Sequence, residues 1–154
     1  MELYNKEVEF KQELPGGVLM TSQHTQEDYN YICENLIRHN VANTGGLLKK
    51  PGIDINFYLK AGDRAIGAIL CDSFNMSVYI DVMWIDGAYR GKGYGKVLIA
   101  QAEKVAKENG CILAHTCTFS YQSPDFYKAC GYEVFAELRD YPDGIVQYFL
   151  KKRL

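Results

Sequence analysis

The sequence has no polybasic tail and no basic stripe. Its 17 lysines and arginines stand against 19 aspartates and glutamates, a formal net charge of −2. Broad phosphate neutralisation, the usual basis of nucleic-acid binding, therefore finds no support. So small an acidic excess says little about a cationic substrate. No apolar run reaches the ~20 residues that a membrane span requires, so no membrane partner is expected. The opening segment MELYNKEVEF is polar and acidic and lacks the apolar core of a secretory signal. No C-x-x-C pair occurs among Cys33, Cys71, Cys111, Cys117 and Cys130, and their number is odd. Neither a zinc site nor a disulfide framework is expected, no metal is expected, and the expected compartment is the reducing cytoplasm. There are no internal repeats and no low-complexity linker, so residues 1–154 read as one domain. The N-M-S triplet at Asn75 is then a chance match to a glycosylation sequon.

What is present is an ordinary globular balance, 47% hydrophobic and 23% charged, enough for a real core. Pro15 to Gly17 form a turn, and VLMTS after it reads as a short strand. Thr25 followed by Glu27 and Asp28 is a helix-start signal. Tyr29, Ile32, Cys33, Leu36 and Ile37 continue at helical spacing, which predicts a helix from about Gln26 to about His39. Asn40 to Gly52 reads as a loop with one helical turn, its Lys49 and Lys50 solvated. Ile53, Ile55, Phe57 and Leu59 alternate in a half-buried strand. AIGAILC completes a hairpin with it. MSVYIDVMWI is apolar on both faces except for Asp81 and reads as a central strand covered on both sides.

A second helix follows, with Leu98, Ala102, Val105 and Ala106 on one face and Glu103 and Lys107 paired outside. Asn109 and Gly110 end it. CILAHTCTF is a strand and SPDFYKACG a short helix, with Ser123 as cap, Pro124 at the first position, Asp125 near the dipole and Gly131 as stop. YEVFAEL and IVQYFL are strands joined by the YPDG turn. The order is mixed α/β, largely antiparallel at first, then a β-α-β unit of right-handed, parallel type.

Between the central strand and the second helix lies YRGKGYGKVLIA. Gly91, Gly93 and Gly95 occupy every second position. Glycines let consecutive N–H groups point into one concavity, and a helix start adds unpaired N–H groups and a positive dipole end. This is an anion site suited to a pyrophosphate, with Arg90, Lys92 and Lys96 adding charge at its rim. The spacing is wrong for a Walker A loop, and the hydroxyl after Lys96 is missing. The G-x-G-x-G run is not the dinucleotide G-x-G-x-x-G either. Ligand identity stays open on the loop alone.

The residues Arg90, Gly93 and Gly95 resemble the Q/R-x-x-G-x-G/A loop of the GNAT superfamily of N-acetyltransferases. Met83 and Ile85 resemble the apolar positions of its L-x-V strand end. Phe126, Tyr127, Gly131 and Tyr132 resemble its F-Y-x-x-x-G-F/Y segment. The likeness covers Val78 to about Val134. Ser120 stands where the family often has asparagine, with Gln122 as a substitute. The resemblance implies a mixed α+β fold with a twisted mixed sheet of about six to seven strands and about four flanking helices. It implies a cofactor cleft between the strand ending at Ile85 and the strand beginning near Cys111, which splay apart.

In that cleft acetyl-CoA would lie, its pantetheine on main chain at Met83 and Ile85, with Ser120 nearby. Its pyrophosphate would meet the N–H groups of Gly91, Lys92, Gly93, Tyr94, Gly95 and Lys96. The reaction implied is direct attack of an amine of a small molecule or peptide on the thioester. Tyr127, a phenol with pKa near ~10, takes the place of the family's general acid; its alternative is a packing tyrosine. Asp81 is either the base, directly or through a water, or bonded to a neighbouring loop. His115 is a core or edge histidine or a base. Cys117 shares its strand face with His115, but no partner pattern supports a thiol nucleophile, and Glu137 is a surface strand residue. The competing functions are a non-catalytic acyl-CoA-binding or regulatory module and, more distantly, an ATP-binding protein. Tyr29, Tyr31, Tyr141 and Tyr148 either line an acceptor pocket or pack. A homodimer is allowed and not required by anything in the sequence.

Overall fold

The computed structural model describes residues 8–46 and 52–154. Contacts gather into two compact units, Met1–Leu47 and Leu48–Leu154. In the first unit, β1 (Lys11–Leu14) and β2 (Val18–Thr21) pair antiparallel across the Pro15–Gly17 turn. That turn needs left-handed backbone, and Gly16 and Gly17 supply φ of 84° and 75°. Only β2 was expected. KQEL carries no strand signal of its own, and the turn folds it back onto its partner.

Helix α1 (Gln26–Asn43) opens on a reciprocal cap. The Asp28 N–H donates to the Thr25 hydroxyl at 3.1 Å, and the Thr25 N–H donates to the Asp28 carboxylate at 2.8 Å. The helix runs past the expected end at His39. Its last carbonyls find donors in the Asn43 carboxamide and the Thr44 hydroxyl, at 2.8 and 2.7 Å. The first part of the expected loop is therefore helical, and Lys49 and Lys50 lie outside the described residues.

The second unit is built on a six-stranded sheet. Its strands are β3 (Asp54–Ala61), β4 (Arg64–Phe74), β5 (Ser77–Ile85), β6 (Leu113–Phe119), β7 (Glu133–Leu138) and β8 (Gln147–Arg153). They lie in the order β3-β4-β5-β6-β8-β7. Among the described residues only β5 and β6 pair parallel, and α2 (Tyr94–Glu108) is the crossover between them. The short α3 (Pro124–Ala129) precedes β7. Pro124 stands at its start as expected, but the Ser123 side chain makes no capping bond. With the 3₁₀ turns Gly87–Tyr89 and Pro142–Gly144, the described residues hold three α-helices where about four were expected.

The core lies on one face of the sheet. Ile69, Val78, Ile80, Ala114 and Leu150 are buried with Leu98, Ile99, Ala102 and Ala106 of α2 and with Tyr127 and Tyr132. One expectation about α2 fails. Glu103 does not pair with Lys107 in solvent; it turns inward, 16% exposed, and accepts from the Lys152 amine at 2.6 Å. The partner is a lysine of β8, distant in sequence, and helical spacing carries no sign of it.

Candidate active site at a fork in the sheet

β5 carries the site, and its expected burial on both faces holds only for its first half. Val78 and Ile80 are buried, but Asp81, Val82 and Trp84 are exposed, Trp84 at 52%. A bulge decides which residues point outward. Leu70 of β4 pairs with Val82 and the next residue, Cys71, pairs with Ile80, which leaves Asp81 as the extra residue. The inward side chains shift phase there, from Val78 and Ile80 to Met83 and Ile85. Asp81 thus sits in a kink at the surface and bears no burial cost.

The parallel rungs between β5 and β6 also stop here. They run from Ser77–Leu113 to Ile80–Thr116 and no further. Asp81 to Ile85 and Cys117 to Phe119 diverge as the two arms of a fork. At its base the buried Thr116 hydroxyl donates to the Ile80 carbonyl at 2.9 Å. Beyond it, the Asp86 N–H donates to Ile66 at 2.8 Å. By the alternation of a strand, the main chain of Asp86 and Trp84 then faces β4, and that of Ile85 and Met83 faces the gap. The Ile85 carbonyl is already taken, accepting from Arg90 Nε at 2.8 Å. Arg90 therefore braces the loop as well as charging its rim.

Past Arg90 the backbone alternates between left-handed and ordinary conformations. Gly91 has φ of 74° and Gly93, the helix cap, 85°. Among the described residues, and apart from their own chain neighbours, no atom lies within 4 Å of where their Cβ atoms would be, so only the backbone requires glycine there. The N–H groups from Gly91 to Gly95 find no acceptor among the described residues, and those of Lys96 and Val97 bond the Gly93 carbonyl. A run of free N–H groups at the start of a 15-residue helix is a cradle for an anion. Gly95 has a further reason to be glycine. A Cβ would stand 3.0 Å from the Phe126 ring and 3.4 Å from Met83 Cε, so the loop closes directly onto α3. Lys92 lies over the Tyr89 ring at 5.1 Å.

Tyr127 is only 7% exposed, and its hydroxyl lies beside that of Thr116 at the base of the fork. Burial holds its phenol above the usual range, and the Thr116 hydroxyl works weakly against this. Tyr79 hydrogen-bonds Cys117 Sγ at 3.3 Å and stacks, tilted, on His115 at 5.1 Å. The thiol raises the Tyr79 phenol first, then burial, then the charge of Asp81. Burial lowers His115. Burial pushes the Cys71 thiol up to about 12, with Asp72 and Asp81 adding to it.

Ser120, on the β6 arm, is engaged: its hydroxyl accepts from the Val146 N–H at 3.2 Å. The Gln122 carboxamide oxygen turns inward, accepting from Phe119 N–H and the Thr118 hydroxyl at 2.9 and 3.0 Å. Glu137 pairs with Arg139. Tyr148 packs against the core below Lys128, and Tyr29 and Tyr31 are exposed on α1 of the first unit. Sequence reasoning missed Thr116 and Tyr79. Tyr79 meets His115 and Cys117 only through the parallel register, which no local pattern carries.

The chain matches the Acetyltransferase (GNAT) family over residues 13–132. It is 42% identical over 78 residues to blasticidin-S acetyltransferase of Streptomyces morookaense, covering 50% of this chain and 57% of that one. The chain thus spans little more than half the length of that relative. An acetyltransferase from Bacillus cereus ATCC 14579 superposes with a TM-score of 0.75 at 32% identity, covering 86% of this chain and 95% of that one. A Bacillus anthracis strain Ames protein, described as a candidate streptothricin acetyltransferase and solved with acetyl coenzyme A, superposes at 0.60 with 25% identity, covering 68% and 64%. With the family match running through both the glycine loop and the Tyr127 segment, this chain belongs to the GNAT family of acetyltransferases.

Proposed function

We propose that the chain is an acetyl-CoA-dependent N-acetyltransferase acting on a primary amine of a small molecule or peptide. The observation that carries this is the fork: strands that part beside a run of unpaired N–H groups at a helix start. The cofactor supplies an acetyl group activated as a thioester, open to direct attack by an amine. The N–H groups from Gly91 to Gly95, with the Lys92 and Lys96 amines, hold the pyrophosphate; the Lys96 N–H, expected to join them, is spent on the Gly93 carbonyl. Met83 and the Ile85 N–H hold the pantetheine amides as an added strand would. Ser120 can still offer its hydroxyl hydrogen from the opposite arm.

Tyr127 is the general acid in this reading. Its raised pKa keeps the phenol protonated at neutral pH, ready to donate to a departing thiolate. Asp81, the residue after the last parallel rung, takes the proton from the amine, directly or through a water. A free N–H on the β5 arm stabilises the developing oxyanion. Relatives described for blasticidin-S and streptothricin support a small-molecule acceptor. The family match extends through both units, which supports one acetyltransferase domain. Five unpaired thiols support a reducing, cytoplasmic setting.

The test is calorimetry with coenzyme A and ATP, followed by thiol release from acetyl-CoA over a panel of amines. Coenzyme A is expected to bind in preference to ATP, and Gly93→Ala to weaken it about tenfold by straining a left-handed residue. Coenzyme A binding without thiol release from any amine would turn the reading to a non-catalytic acyl-CoA module. No binding at millimolar coenzyme A would end both.

A further inference from the structure

The β6 arm of the fork ends in an aromatic ledge. Phe119 and Tyr121 are stacked, their centroids 5.4 Å apart and their planes within 12°. Tyr141 meets Phe119 edge-on at 5.2 Å and 80°. Both tyrosines stay open, Tyr121 at 67% and Tyr141 at 37%. Isolated exposed aromatics need no explanation, but this group is built. Ser120 and Val146 exchange hydrogen bonds at 2.8 and 3.2 Å, which ties the ledge to the segment leading into β8. The Tyr141 hydroxyl donates to Gln147 Oε1 at 3.0 Å, which fixes the third ring. Gln122 clamps the Phe119 N–H from below.

Of the charges next to Tyr141, Arg139 is paired with Glu137. Asp140 and Asp143 flank Tyr141, and neither forms an ion pair among the described residues. Asp143 is held at φ of 58°, a conformation that costs a non-glycine residue energy and fixes the loop tip. A stacked pair with one face open suits a flat conjugated ring, and two unpaired carboxylates beside it suit positive charge on that ring. The ledge lies on the arm that lines the gap. Phe119 follows Thr116 along β6, about 10 Å beyond the base of the fork at ~3.3 Å per residue.

We propose that the Phe119–Tyr121–Tyr141 ledge binds a planar, preferably cationic ring of the acceptor, joined by a flexible arm of about 10 Å to the amine that reacts at the fork. This rests on the acetyltransferase reading and narrows it to a substrate class. Tyr121 provides the stacking face, and the Asp140 and Asp143 carboxylates select charge.

The experiment uses three amines on one seven-carbon arm, which spans about 10 Å when extended: 1-(7-aminoheptyl)pyridinium, 7-phenylheptylamine and 7-cyclohexylheptylamine. With the full chain and acetyl-CoA, kcat/KM is expected to rank pyridinium above phenyl above cyclohexyl. Planar over saturated should reach about tenfold, carried by KM, as expected for stacking on one aromatic face. Tyr121→Ala is expected to bring phenyl and cyclohexyl within twofold of each other, and Tyr121→Trp to restore the preference. Neither change should move the unfolding midpoint. Saturation-transfer NMR of the pyridinium probe should light its ring protons in wild type and not in Tyr121→Ala. Thiol release with equal efficiency for phenyl and cyclohexyl overturns the ledge and leaves the acetyltransferase standing. Ring saturation lost in Tyr121→Ala, with no thiol release from any amine, supports the ledge and overturns the acetyltransferase reading.

Discussion

Replacing Tyr127 with phenylalanine removes one oxygen from the base of the fork and little else. The ring keeps its edge-on contacts with Phe126 and Tyr132, at 5.3 and 5.7 Å. The Thr116 hydroxyl keeps its own acceptor, the Ile80 carbonyl at 2.9 Å, so no buried donor is orphaned. Stability is therefore expected to change by less than about 1 kcal/mol. The rate should fall much further. Positioned acids contribute about 10²- to 10⁴-fold. A departing thiolate is a weak base, with a pKa near ~8.5, so it needs less help than an alkoxide and the low end applies. A loss of about a hundredfold in kcat corresponds to about 2.7 kcal/mol of transition-state stabilisation.

The assay is thiol release under saturating amine, with coenzyme A affinity measured by calorimetry on the same variant. Affinity should stay within about twofold, since the pyrophosphate cradle and the β5 edge are untouched. Because burial raises the Tyr127 phenol, wild-type kcat should show no alkaline loss from this group below about pH 10. A variant with kcat within twofold of wild type would falsify the acid role. A parallel drop in coenzyme A affinity would assign Tyr127 to packing of the cradle instead.

Other outcomes follow from the same geometry. Gly95→Ala gains about 1 kcal/mol of helix propensity but forces a methyl to 3.0 Å from Phe126, where overpacking costs about 1–3 kcal/mol. A net loss of about 1 kcal/mol is expected in urea unfolding, with weaker coenzyme A binding. Glu103→Ala leaves the Lys152 amine, 27% exposed, without its carboxylate. The expected loss is about 1–3 kcal/mol, below the fully buried limit because solvent reaches the pair; an unchanged urea midpoint would contradict this. Cys71, Tyr127 and Tyr132 all have pKa values raised by burial. The unfolded chain loses these protons first, so stability should hold near neutrality and fall as pH rises above about 9, by up to about 1.4 kcal/mol per pH unit for each group. His115 is lowered by burial, so the unfolded chain takes up its proton first and stability should also fall below about pH 6.5. Urea midpoints across pH 5 to 11 check both limbs.

Much of this protein is local, and local features can be read from the chain. The Thr25–Asp28 cap, the alternation from Ile53 to Leu59, the glycines before Tyr94 and the Pro124 helix start each depend on neighbours a few residues away. Their physics is backbone conformation and short-range hydrogen bonding, which the order of residues determines directly. The fork itself is different. Where β5 and β6 part, and that Asp81 falls in the bulge between Val82 and Ile80, depend on register between strands distant in sequence. So do the meeting of Tyr79 with Cys117, the turn of Glu103 toward Lys152, and the stacking of Tyr121 on Phe119 beside Tyr141. Register is chosen by the burial of whole faces at once, and a bulge reverses which residues those faces hold. Only the assembled sheet decides that.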